Sequence, residues 1–208
     1  MSKPKIILIG AGGHANACID VIEQQGNFQI AGLIGLPSEL NSQHLGYCVI
    51  GNDTDLSRLT KDNPFAIVTT GQLQTPDLRI HLWALAVKHK FQLPIIIAPT
   101  AYVSRHSIIG FGTMVMHGAI VNSGAKVGQN CIINNQSLIE HDVLVEDHCH
   151  ISTGAILNGS VRVGTGSFIG SGTVIKEGVT IGKNCVLGMG LSVRHDLADH
   201  SRFVGKGN

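Results

Sequence analysis

From Val103 onward every sixth residue is aliphatic, and the rhythm runs unbroken through Ile109, Val115, Val121 and on to Val193. A period of six is neither the 3.6-residue turn of an α-helix nor the two-residue alternation of an ordinary strand. It fits a chain of short strands that end at corners, each stacked on an earlier one, so that successive coils bury a continuous core. Four residues after each aliphatic position stands a small or modest residue, as at Ser107, Thr113, Ala119, Ala125, Cys131, Ser137 and Val143. Glycine often follows the aliphatic position directly, as at Gly110, Gly128, Gly164 and Gly188. Residues 99–208 are therefore predicted to be a parallel β-helix of hexapeptide repeats.

Residues 1–98 follow a different rhythm. "KIILIGAGG" reads as a buried strand entering a glycine turn, and "HANACIDVIEQQG" as a helix ending at Gly26. "FQIAGLIG" and "FAIVTTG" read as strands, "PDLRIHLWALAVKHKF" as a helix opened by Pro76, and "LPIIIAP" as a last short strand. Strand–helix alternation predicts a small, mostly parallel α/β sheet of Rossmann-like type. The turn Gly10–Ala15, after a strand and before a helix, is a setting for phosphate. Dinucleotide binding also needs an acid where the second strand ends, to hold the ribose. That strand ends in Gly35 and Leu36, so the sequence speaks against NAD.

Composition narrows the partners. A net charge of +1 over 208 residues gives no general attraction to nucleic acid or to an anionic membrane. No stretch is long and apolar enough to span a bilayer, and the run Ile6–Ile9 is too short for a signal-peptide core, so a cytoplasmic protein is expected. Five cysteines without a CxxC pair argue against a disulfide framework and against a cysteine zinc site.

The chemistry concentrates in "SLIEHDVLVEDHCHIS", residues 137–152. On the hexad frame Ile139, Val143, Val145, Cys149 and Ile151 point inward, while Glu140, His141, Asp142, Glu146, Asp147, His148 and His150 lie outside or at corners. Outer positions of such a prism are normally solvated, so a surface role is open for each histidine. His141 differs in being followed at once by Asp142, a carboxylate able to orient an imidazole and stabilise its protonated form.

The hexad run resembles the left-handed β-helix of hexapeptide-repeat acyltransferases. The resemblance implies three hexads per coil, roughly five coils here, and stacking of residues eighteen apart. Cys131 then lies over Cys149, with Ser167 and Cys185 below, as small residues filling one inward column. More narrowly, "INNQSLIEHDVLVEDHCHISTGAILNGSVRVG" and the N-terminal "GAGGH" resemble bacterial sugar acetyltransferases of the PglD/NeuD type. That family joins a sugar-nucleotide-binding α/β domain to an acetyl-CoA-dependent β-helix.

The resemblance implies that His141 is the general base and Asp142 the acid that raises its basicity. It implies that Asn134 lies by the reacting groups, and that His150, Gly159, Ser171 and Met189 meet acetyl-CoA, Gly159 offering a backbone N–H to the oxyanion. Gly12, Gly13, His14 and Gly71 would surround the nucleotide. His148 has no counterpart and is read as surface.

The substrate implied is a nucleotide-linked 4-amino-4,6-dideoxy sugar for surface glycan synthesis. O-acetylation of a sialic-acid-like sugar and a non-catalytic sugar-nucleotide-binding subunit are the alternatives. Neither chemistry requires a metal. The rival is the γ-class carbonic anhydrases, which hold zinc on the same kind of β-helix, but here the histidines crowd within a single short stretch. Two departures stand out. Gly35 and Leu36 replace the acids that hold the base of the nucleotide in the amino-sugar enzymes. "FVGKGN" replaces a usual Gly-x-Pro-Ala ending, which implies a reduced contact with CoA. Outward apolar residues Met114, Met116, Ile120, Leu138 and Leu144 point to a homotrimer with sites between neighbouring β-helices.

Overall fold

The computed structural model describes residues 3–204, so the end of "FVGKGN" beyond Val204 lies outside the described residues. The chain divides into two compact units, residues 1–71 with 77–99 and residues 72–76 with 100–208. The short segment Gln72–Pro76 thus groups with the second unit, although it falls within the first half of the sequence.

The first unit is a five-stranded sheet with helices. Its elements are β1 (Lys5–Ile9), α1 (Gly13–Gln25), β2 (Gln29–Ile34), β3 (Gln43–His44), β4 (Tyr47–Gly51), the single turn α2 (Leu56–Leu59), β5 (Phe65–Val68) and α3 (Asp77–Lys88). The spatial order is β3-β4-β2-β1-β5. All pairs are parallel except β3 with β4, which makes a small antiparallel edge. Ile6–Ile9 of the interior strand β1 are fully buried, as a strand covered on both faces must be. α1 buries Ala15, Cys18, Ile19, Val21 and Ile22, and ends where Gly26, at φ 71°, donates its N–H to the Ile22 carbonyl at 3.0 Å. Arg79 of α3 is buried, yet its guanidinium donates to the carbonyls of Val68 (3.0 Å) and Thr70 (2.7 Å). It therefore satisfies the exit of β5 just before Gly71.

The second unit is the parallel β-helix that the hexads predict. Two-residue strands stack in three faces. The first face runs from Tyr102–Val103 through Leu138–Ile139 to Ser192–Val193, and the second from Ile108–Ile109 through Leu144–Val145 to Thr180–Ile181. The third includes Met114–Val115, His150–Ile151 and Val186–Leu187. Register is eighteen residues throughout, as in Leu138 beside Ile120 and Ile156. The inward aliphatic positions from Val115 to Val193 are buried. From the second corner on, the turns pass through a left-handed residue. From Gly112 to Gly190 every sixth residue has positive φ, and it is glycine or one of Asn130, Gln136, Asp142, His148, Ser160 and Asn184.

Cys131, Cys149, Ser167 and Cys185 fill one buried inward column. The hydroxyl of Ser167 accepts from the Cys185 N–H at 2.9 Å, and that of Thr113 from the Cys131 N–H at 2.9 Å. Burial, and then contact with the Cys131 thiol, push the Cys149 thiol well up, so Cys149 stays a neutral thiol.

Three outward positions differ from expectation. Met114 and Met116 are fully buried, and His150 is only 5% exposed. The hexad period gives the direction of a side chain, and whether that direction meets solvent depends on what covers the face.

Candidate active site

His141 stands at the tip of the corner between the first and second faces, and Asp142 takes the left-handed position next to it at φ 60°. Its ring Nδ1 lies 3.0 Å from Asp142 Oδ2. Both side chains are open to solvent, at 61% and 67% exposure. With Nδ1–H donating to the carboxylate, Nε2 carries the lone pair and is the atom able to take a proton. The backbone N–H of His141 is held by Glu140 Oε2 at 3.2 Å, and that same oxygen accepts from Asn122 Nδ2 at 3.0 Å. The turn beneath the imidazole is therefore fixed by side chains of its own and the preceding coil.

Two glycines make room for the pair. A Cβ built on Gly159, one coil on, would lie 2.6 Å from His141 Nε2, so the ring rests directly over the glycine backbone. A Cβ on Gly124, one coil back, would collide with Asp142 Oδ1. Gly124 escaped the sequence reading, although its spacing of eighteen from Asp142 is the signal that finds it. The N–H of Gly159 donates to no acceptor among the described residues, and the same holds for Ser171 and Met189. The unclaimed donor thus belongs to the residue that lies against the imidazole.

Asn134 and His150 form a second group, beside the corner between the third and first faces. His150 Nε2 is 3.2 Å from Asn134 Nδ2, and Nδ1 is 2.7 Å from the Gln72 carbonyl. A carbonyl only accepts, so Nδ1 carries the hydrogen and Nε2 receives the amide N–H of Asn134. Phe168 packs edge-on against the ring at 5.2 Å. On that corner Ser171 Oγ meets Ser152 Oγ at 2.9 Å, and Met189 is 79% exposed. The sequence-derived residues of the β-helix thus fall into two clusters on opposite edges of the first face. His141, Asp142 and Gly159 line one edge; Asn134, His150, Ser171 and Met189 gather at the other.

The remaining histidine of the stretch has another environment. His148 occupies a left-handed corner position at φ 59°, with Nδ1 2.9 Å from Asn130 Nδ2. Asp147 accepts from the Gln129 N–H (2.9 Å) and side chain (3.2 Å), and Glu146 from the N–H (3.0 Å) and hydroxyl (2.8 Å) of Thr165. These carboxylates staple neighbouring coils. Among the described residues no group of three or more His, Cys, Asp or Glu side chains is placed to hold a metal.

In the first unit the glycine turn opens α1. No side chain caps the helix, no acid stands in its first turn, and a Cβ at Gly12 or Gly13 would meet nothing within 4 Å. Gly71, just past β5, lies beside His14, whose Cβ would be 3.6 Å from a Cβ placed there. Gly12, Gly13, His14 and Gly71 therefore lie together at the C-terminal ends of β1 and β5, a setting in which helix N–H groups can meet a phosphate. The end of β2 holds an acid that its own residues lack. The turn Pro37–Glu39 folds back, so that Glu39 Oε2 accepts the Leu36 N–H at 2.7 Å. The signal was the glutamate three residues after Leu36 with proline between, half of a capping box.

Comparison with known proteins bears on the fold and the family. Residues 5–76 match the PglD N-terminal domain, residues 106–141 the bacterial transferase hexapeptide (six repeats), and residues 160–194 the hexapeptide repeat of succinyl-transferase. No curated protein sequence matches significantly. Among solved structures, a mutant perosamine N-acetyltransferase from Caulobacter crescentus, in complex with CoA and GDP-perosamine, superposes with a TM-score of 0.91 at 31% identity. The match covers 98% of this chain and 97% of that one. The acetyltransferase domain of PglB from Neisseria gonorrhoeae FA1090, in complex with acetyl coenzyme A, gives 0.90 at 30% identity over the same shares. WeeI from Acinetobacter baumannii AYE, at 22% identity, 97% coverage of both chains and TM-score 0.83, shares the fold. With an α/β domain, a left-handed hexapeptide β-helix and two relatives of this identity along nearly the whole chain, the protein belongs to the PglD/NeuD-type family of bacterial sugar acetyltransferases.

Proposed function

We propose that the protein transfers the acetyl group of acetyl-CoA to the amine of a nucleotide-linked amino sugar, with a 4-amino-4,6-dideoxy sugar as the substrate class. The observation that carries this reading is the His141–Asp142 pair set over Gly159. N-acetylation is favoured over O-acetylation because the Caulobacter relative is a perosamine N-acetyltransferase. The sugar amine, in its neutral form, attacks the thioester carbonyl. As the C–N bond forms, His141 Nε2 takes the amine proton, and Asp142 stabilises the resulting imidazolium. The Gly159 N–H donates to the carbonyl oxygen as negative charge develops there. The C–S bond then breaks, and the imidazolium returns the proton to the CoA thiolate. The glycine turn Gly12–Gly13 with His14 and Gly71 takes the sugar nucleotide, Asn134 lies by the reacting groups, and His150, Ser171 and Met189 take the CoA arm. The residues alone supply a base and an oxyanion donor. Acetyl-CoA and sugar nucleotides are cytoplasmic reagents, which sets the compartment proposed.

Release of the CoA thiol, followed with purified protein against a panel of GDP- and UDP-linked amino sugars, tests the reading. Release that requires an amino sugar supports it. Release with sialic acids alone, or with no sugar at all, overturns it.

The working unit proposed is a homotrimer. Tyr102, Ile120, Leu138, Ile156 and Val174 form one outward apolar ladder down the first face, with Tyr102 at 59% and Ile120 at 39% exposure. Met114 and Met116, being buried, contribute nothing to it. The two clusters of site residues lie on opposite edges of this face. A neighbouring prism packed against the ladder covers its apolar surface and brings the base edge of one chain to the CoA edge of another. Leu138→Arg is expected to give a folded monomer that has lost activity with His141 intact, read by light scattering on a sizing column. An active monomer would reject the shared site.

A further inference from the structure

We infer that Glu39 is the residue by which this chain reads the base of its nucleotide, and that the base is guanine. The inference rests on the sugar-nucleotide reading above for the ligand class and names the base within it. In an open α/β sheet the ligand lies beyond the carboxyl ends of the strands, with phosphate at the glycine turn and the nucleoside toward the end of the second strand. β2 ends at Ile34 and is followed by Gly35 and Leu36, neither of which offers an acceptor side chain.

The turn Pro37–Glu39 supplies one. Glu39 Oε2 sits where a Cβ on Gly35 would be only 2.6 Å away, and the same hypothetical atom would be 3.0 Å from Ala11 Cβ in the glycine turn. Gly35 is thus the opening through which a carboxylate from four residues further on reaches the strand end beside the glycine turn. A larger residue at position 35 would push it out. The Leu36 N–H is its one hydrogen-bond donor among the described residues. A carboxylate has about four acceptor sites, so most of its capacity stays open. Leu36 and Leu40, on either side of it in the sequence, are 65% and 51% exposed and offer apolar surface to a flat ring.

The bases differ in what they present to such a group. Guanine offers two adjacent parallel N–H donors, N1–H and the N2 amine, which a carboxylate accepts with both oxygens, as it accepts a guanidinium fork. Uracil offers a single N–H between two carbonyl oxygens that repel the second carboxylate oxygen. Adenine and cytosine set an acceptor beside their amine. The Glu39 side chain therefore favours guanine and disfavours the others.

Calorimetric titration of the full chain with GDP, IDP and UDP, without acetyl-CoA, tests this. Wild type is expected to bind GDP at least about 10-fold more tightly than IDP, which lacks the N2 amine, or UDP. Glu39→Gln keeps the length and the acceptor for the Leu36 N–H, and should abolish that preference while leaving UDP affinity within about 2-fold. An unchanged GDP preference in the variant overturns the role of Glu39. Equal losses for GDP and UDP put the carboxylate on the ribose and overturn the base reading. Wild type that binds none of the three nucleotides overturns this inference together with the proposed function, whereas the earlier outcomes leave that function standing.

Discussion

The corner Glu140–His141–Asp142 and the corner Glu146–Asp147–His148 lie six residues apart and hold the same three side chains, a glutamate, an aspartate and a histidine. In the first, histidine has the tip and aspartate the left-handed position; in the second the two are exchanged. That exchange decides everything that follows locally. At the tip, an imidazole stands over the next coil, and because that coil offers Gly159 it keeps an open Nε2. At the left-handed position, the side chain turns back toward the residue eighteen before it. Asp142 turns over Gly124 and stays beside its neighbour His141, whereas His148 meets the Asn130 amide. The carboxylates divide the same way. Asp142 orients an imidazole; Asp147 and Glu146 are engaged by Gln129 and Thr165 of adjacent coils. Composition alone does not distinguish a catalytic corner from a structural one in this fold. Order within the hexad does, together with the size of the residue stacked next to it.

The sharpest way to break the comparison is to remove each histidine in turn. His141→Ala should lower turnover by about 10²- to 10⁴-fold, the usual worth of a general base, while the melting curve stays near that of wild type. His148→Ala should keep near wild-type turnover. Equal turnover in the two variants would erase the distinction between the corners. Gly159→Ala probes the stacking directly. The backbone there suits an L-residue, so the fold tolerates it, but the methyl displaces the imidazole. A shift of that order is expected to lower turnover by about 10²-fold, and an unchanged rate would free the ring position from the mechanism. Asp147→Ala tests the other side of the comparison. It removes two hydrogen bonds to Gln129 and should lower stability by about 1–2 kcal/mol with kcat/KM unaltered. A loss of rate without a loss of stability would give the second corner a part in catalysis.

Much of this is legible in the sequence. The inward aliphatic column, the cysteine stack and the solvent-facing His141–Asp142 pair follow from a period of six and a coil of eighteen. The left-handed corner column was equally present in the sequence, as glycine, asparagine or aspartate at most sixth positions, but it is quieter than the aliphatic one because several side-chain types tolerate that backbone. Burial of Met114, Met116 and His150 was not legible, since periodicity sets direction and not cover. β4, "YCVIG", lacks alternation and is too short to announce itself. Glu39 escaped because its place at the end of β2 comes from a turn that reverses the chain, and linear spacing puts it out of reach.

The eighteen-residue register has a consequence for how such a chain changes length. Removing or adding one whole coil leaves every later side chain on its own face, so tips stay tips and the apolar ladder stays continuous. Any shift by six or twelve rotates all that follows by one face of the prism, and the base edge, the CoA edge and the apolar ladder would each point somewhere new. Other lengths break the inward column outright, unless the extra residues leave and return at a single corner. Descendants of this domain are thereby confined to a ladder of permitted sizes, one coil per rung, with free variation only in loops budding from its edges.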